Sequence, residues 1–250
     1  MDRKIVAWLT VFVLFFSAAG SARTVVEAEQ IIQQINQGLD IYYRNAVFEG
    51  ELDLITDLSN LFFEGDQRKS YIMSKLSFED CIFAGEVIGY YHHSFSGVTY
   101  QANFEDTVSF KNCQFKQGVT FKYSSFLAEA DFADCSFEEG AEFKYSKFNQ
   151  KADFSGSRFA DTANFKYTKF RGETSFERAN FAGDGIFKYS EFPSGVSFSD
   201  SLFSGFADFK YTKFFQPLTI KGMKIAGNST FKYAQVAGQP FNQYLLNLND

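Results

Sequence analysis

The sequence predicts an all-β solenoid that turns four corners per coil, and three observations carry that prediction. A hexamer beginning Phe121-Lys122-Tyr123 returns at Phe143, Phe165, Phe187, Phe209 and Phe231, each time after 22 residues. Between the hexamers Phe recurs at alternating gaps of five and six, through Phe121, Phe126, Phe132, Phe137, Phe143 and Phe148. A small residue stands two positions before these Phe, as in Ala130, Cys135, Ala141, Ser146 and Ala152.

A helical stripe needs gaps of three and four, so no helix explains this spacing. Simple strand alternation fails as well, because the pattern restarts at every unit. A chain that turns after each unit fits both facts. Four short faces then make one coil, with every Phe pointing inward and coils stacked at about 4.8 Å. Burial of each Phe contributes roughly 1.5–3 kcal/mol. The pattern gives about seven to eight coils, with a helix at each end.

The 250 residues suit one domain, and the 34 Phe supply ample apolar surface. The formal net charge of -6 argues against a nucleic-acid binder. Arg3 and Lys4 precede the apolar run Ile5 to Phe16, and small residues follow as far as Ala22. This reads as a signal peptide over residues 1–22, cleaved after Ala22, and predicts a secreted or periplasmic protein. The alternative is an uncleaved anchor, for which the apolar run is short. No Cys follows the run, so lipid anchoring has no support.

Ala130-Asp131-Phe132, Ala152-Asp153-Phe154 and Ala207-Asp208-Phe209 resemble the repeating unit of the pentapeptide-repeat family over about residues 45–236. The resemblance implies a right-handed, four-sided β-helix. Coils of 22 residues in place of 20 imply that two of the four corners carry an extra residue. Some members of that family bind topoisomerase as DNA mimics, which implies a second functional reading. The signal peptide and a lysine-bearing face both count against it here.

The register extends backwards. Phe78 to Phe83 matches Phe110 to Phe115 and Phe132 to Phe137, which places Cys81, Cys113 and Cys135 at one inward position on successive coils. Ser157, Ala179, Ser201 and Met223 continue that ladder. A disulfide or metal site is one reading; three small core residues is the plainer one. The repeat starts near Phe48 and is interrupted twice, by loops near 55–71 and 89–103, both on the face that later carries Phe-Lys-Tyr. Insertions confined to one face often mark a binding face.

Over residues 23–44 the expectation is a capping helix. Thr24 and Glu27 form its capping box, and Val25, Ile31, Ile32, Ile35 and Leu39 its apolar stripe. At the other end, residues 237–250 with Phe241, Tyr244, Leu245 and Leu246 suggest a short closing helix. The family resemblance also implies a homodimer through that C-terminal end, but a cap is the simpler role.

Three outward ladders define the candidate binding face. The first is Lys122, Lys144, Lys166, Lys188, Lys210 and Lys232; the second is Tyr123, Tyr145, Tyr167, Tyr189, Tyr211 and Tyr233. The third is Ser125, Lys147, Lys169, Glu191, Lys213 and Gln235. Setting aside residues 1–22 and this face leaves 13 basic and 28 acidic residues, so the molecule is electrically two-sided. A flat basic surface striped with aromatic rings suits an extended anionic or sugar-containing polymer of the cell envelope, or a protein partner. The competing reading is duplication of one favourable coil, with Tyr retained for cross-strand packing.

His92 and His93 are the only histidines and, as strand neighbours, point to opposite sides, so no metal site is expected. No nucleophile elbow, phosphate loop or zinc spacing is present. No cofactor is expected, and the reading is a non-enzymatic binding or scaffold protein.

Overall fold

Each unit sets a small residue, a polar residue and Phe in succession, and alternate side chains of an extended segment point to opposite sides. The small residue and Phe therefore turn inward together. The computed structural model describes residues 22–56, 58–59 and 61–247. It is a right-handed β-helix with four faces, and the four sheets contain eight, nine, eight and eleven strands in the order the chain visits them. Eight coils stack in parallel and in register, as in Ala130 on Ala152 and Asp131 on Asp153. The signal-peptide assignment falls on residues outside the described ones, apart from Ala22. Among the described residues no helix is long and apolar enough to cross a membrane.

The Phe rings form four columns. Phe132, Phe154 and Phe176 stack at 5.0 and 5.1 Å between centroids, within 6° of parallel. Neighbouring columns meet edge to face, as Phe143 meets Phe154 at 5.3 Å and 82°. Both arrangements are the favoured ones for aromatic quadrupoles.

The alternating gaps of Phe have a structural counterpart. Between the first and second faces the turn has four residues, Phe132 to Cys135; between the second and third it has three, Glu138 to Gly140. The corner between the third and fourth faces again has four, Phe143 to Ser146. Each coil is thus two similar halves of 11 residues, with the extra residues at diagonally opposite corners. The third residue of each four-residue corner has positive φ, as in Asp134 at 56° and Tyr145 at 62°.

The polar residue before Phe caps this turn. Asp131 Oδ1 accepts the Ala133 N–H at 2.9 Å, and Asn164 Oδ1 accepts the Lys166 N–H at 3.1 Å. Asp and Asn suit the position because their short side chains bond backbone two residues on. The fourth corner residue turns inward. Ser146 Oγ donates to the Phe121 carbonyl at 2.7 Å, and Thr168 Oγ1 donates to that of Phe143 at 2.7 Å.

The N-terminal end differs from the expected capping helix over 23–44. Thr24–Glu27 is a strand pairing in parallel with Ala46–Glu49, and the helix spans Ala28–Asn36. Thr24 and Glu27 therefore form no capping box, and Glu27 makes no side-chain cap bond. The β-branched run Thr-Val-Val completes the edge of the second face, where backbone pairing outweighs a cap. Ile31, Ile32 and Ile35 are buried over the first coil, but Val25 and Leu39 are 59% and 49% exposed. Ile41–Arg44 already forms the first strand of the first face, so the coils begin before residue 45.

At the C-terminal end a helix spans Phe241–Asn247, and Phe241 stacks on Phe231 at 4.4 Å. Both insertions contain antiparallel hairpins instead of irregular loops. Leu61–Glu64 pairs with Gln67–Ile72, and Tyr90–His92 pairs with Thr99–Phe104. The two longer strands also pair with each other in parallel, so the hairpins join into one wing on the fourth face.

Candidate functional site: a lysine and tyrosine ridge

The Lys and Tyr of the recurring hexamer are the second and third residues of the corner between the third and fourth faces. They form a ridge along an edge of the solenoid, which corrects the expected flat face. Lys122, Lys144, Lys166, Lys188 and Lys210 are half-buried, and each Nζ lies 5.1–5.4 Å from the ring centroid of the Tyr that follows. Contacts of this kind are worth about 0.5–1 kcal/mol at exposed sites.

The rings of Tyr123, Tyr145, Tyr167, Tyr189 and Tyr211 stack at 4.6–4.8 Å and within 4° of parallel. Tyr233 continues the stack at 4.8 Å, tilted by 19°. Successive coils are closer than most ring pairs require, so the faces of these rings cover one another. They are not free to lie against sugar rings, as the sequence alone suggested. Flanking phenols and desolvation hold Tyr167 above the ordinary phenol value, desolvation being the larger cause.

All six tyrosines have φ between 60° and 62°. That region is unfavourable for bulky residues and favours Gly, Asn and Asp. The equivalent position at the diagonal corner obeys the rule, with Asn45, Asp80, Asn112, Asp134, Gly156, Asp200 and Gly222, and Arg178 as the exception. The same turn is therefore built from ordinary turn residues on one side of the coil and from Tyr on the other.

On the fourth face beside the ridge, Lys147, Lys169 and Lys213 are exposed, and Lys213 pairs with Glu191 at 3.0 Å. On the third face beside it, Glu142 takes hydrogen bonds from Lys144 N–H and the Asn164 amide at 3.1 and 3.0 Å. Burial pushes the Glu142 carboxyl up, against the pull of those bonds and of Lys144 and Lys122.

The three cysteines are buried, unpaired and inward. Cys113 donates to the carbonyl of Phe78 at 3.6 Å, repeating the bond that Ser157 makes to Phe132 at 2.5 Å. The thiol belongs to the ladder of small core residues. His93 Nδ1 is 2.9 Å from Ser96 Oγ, and among the described residues no cluster of His, Cys, Asp and Glu could hold a metal ion.

The wing builds a feature the sequence did not announce. A cleft of about 370 Å³ lies between the wing's outer surface and the first two rungs of the ridge. Its only signal in the sequence was the excess length of the two interrupted coils.

The stacked, four-cornered coil defines the chain as a repeat-built scaffold. The family model described as pentapeptide repeats, nine copies, matches residues 100–147, 143–191 and 165–213, so the coils over residues 100–213 are those of the pentapeptide-repeat family. Comparison with curated proteins and with solved structures returns no match.

Proposed function

We propose that this chain is a non-enzymatic binding protein that works outside the cytoplasm and presents its lysine and tyrosine ridge to an extended anionic polymer of the cell envelope. The observation that carries this reading is the run of six tyrosines in a backbone region where the equivalent corner uses Asn, Asp or Gly in every coil but that of Arg178. The fold does not call for Tyr there. The ridge offers ammonium groups and phenol edges in rows spaced by one coil, over about 24 Å by strand-spacing arithmetic. Both groups are hydrogen-bond donors, and regularly spaced carboxylates or phosphates are their natural partners. Stacked ring faces make sugar stacking a minor part of the contact. Secretion rests on the sequence of residues 1–22, with its basic start, apolar run and small residues before Arg23.

The test replaces Lys144, Lys166, Lys188 and Lys210 together with Gln and measures binding to purified anionic envelope glycans at two salt concentrations. Wild-type binding should weaken as salt rises, because exposed charges are screened. The variant should lose most of the affinity. Equal binding by variant and wild type, or none by the wild type, would sink the proposal.

A further inference from the structure

We infer that the cleft beside the first rungs holds the terminal unit of the bound polymer, a sugar carrying both hydroxyl and carboxylate groups. This rests on the reading of the ridge given above and adds where the polymer ends. The ridge is closed at one end. One coil before Tyr123 the chain does not turn the corner but leaves as the second hairpin. Tyr90 stands there, its ring 5.6 Å from that of Tyr123 and tilted by 42°. Lys122 bridges the two, with Nζ 4.5 Å from the Tyr90 centroid and 3.4 Å from its hydroxyl. The column of stacked tyrosines stops at this point. At the other end Tyr233 is 57% exposed, and among the described residues no ring stacks beyond it.

The cleft opens beside the closed end. The strand Thr99–Phe104 runs straight on past the corner, so Gln101 and Asn103 form a floor, while Tyr123 and Tyr145 form a wall. Lys69 and Lys147 line it as well, together with one carboxylate, Glu105. Its volume of about 370 Å³ falls in the lower part of the range usual for small-molecule sites. The chemistry is specific. The Gln101 amide is bonded to no other described side chain, and Asn103, only 5% exposed, uses its amide nitrogen on the Ser70 carbonyl at 3.4 Å. Lys69 is held by Glu64, whereas Lys147 has no carboxylate partner among the described residues. A primary amide pairs a donor with an acceptor, which suits the hydroxyls of a sugar ring. A free ammonium at the same place suits a carboxylate. Together they fit a uronic-acid unit better than a bare phosphate.

The experiment uses galacturonate chains as the probe, in a long fraction and in oligomers of a few units, with inorganic polyphosphate as a charge-only control. The quantity read is protein bound per chain at saturation. End-on binding gives the same number per chain for long and short fractions. Replacing Gln101 with Leu should weaken oligogalacturonate binding roughly tenfold, the loss of one well-made polar contact, and leave polyphosphate binding unchanged. A number that rises with chain length, or a Gln101→Leu variant as tight as wild type, overturns the inference and leaves the ridge reading standing. No binding of the wild type to any of the three polymers overturns both.

Discussion

The rings of Tyr145 and Tyr167 lie 4.8 Å apart and 3° from parallel, and both project from backbone in the left-handed region. That backbone costs a non-Gly residue about 1–2 kcal/mol. An aromatic pair returns about 0.5–1.5 kcal/mol. The two terms offset each other, so the tyrosine stack is close to neutral for folding. Asn or Gly would serve the turn as well, and the opposite corner shows them doing so.

Arg178 tests the strain half of this argument. It has φ of 56° at a position held by Asn, Asp or Gly in the other coils. It carries no stacked ring to offset the strain; its exposed guanidinium is paired with the half-buried Glu177. Replacement with Asn should stabilise the chain by about 1 kcal/mol in a denaturant titration. An unchanged or lower midpoint would contradict the account of the corners.

The cysteine ladder should be chemically silent. Burial pushes the Cys135 thiol up, and the neighbouring Cys81 thiol together with burial does the same for Cys113. A thiolate is the reactive form. The hydrogen bond with Cys113 pulls the Cys81 thiol the other way, down, so Cys81 is shielded by its burial alone. A thiol reagent should label none of the three in the native protein and all three after unfolding. Cys135→Ser should stay within about 1 kcal/mol of wild type, because Ser157 already makes the same bond one coil on.

Glu142 gives a pH signature. Its carboxyl is raised in the folded chain relative to the ordinary value of 4.5, burial being the first cause. The native state then holds the proton more tightly than the unfolded state, so its contribution to stability falls as pH rises through the folded value. Glu142→Gln removes that dependence. The variant should gain on wild type between pH 4 and pH 7 in parallel melting curves, and a difference that is flat or shrinks with pH would contradict the assignment.

The coil was legible because Phe is large and must face inward, so its gaps of five and six count the residues at each corner directly. The cap was less legible. Thr24 and Glu27 satisfy a helix-start pattern, and only the open edge of the Ala46–Glu49 strand makes them a strand instead. The insertions showed as excess length, but their hairpin pairing depends on Gln67–Ile72 meeting Thr99–Phe104 across coils, a contact no local pattern records. At the candidate site the lysines and tyrosines were found by their period. Their place on a corner, and the mutual covering of the Tyr rings, follow from backbone dihedrals and coil rise together.

The central claim is that the corner tyrosines serve a ligand and not the fold. The most direct test replaces Tyr145, Tyr167 and Tyr189 together with Asn, the residue the turn prefers, and measures unfolding and glycan binding on the same preparation. The account predicts a melting midpoint near that of wild type and a large loss of binding to the anionic polymer. A variant that unfolds far more easily, or one that binds as wild type does, would contradict it.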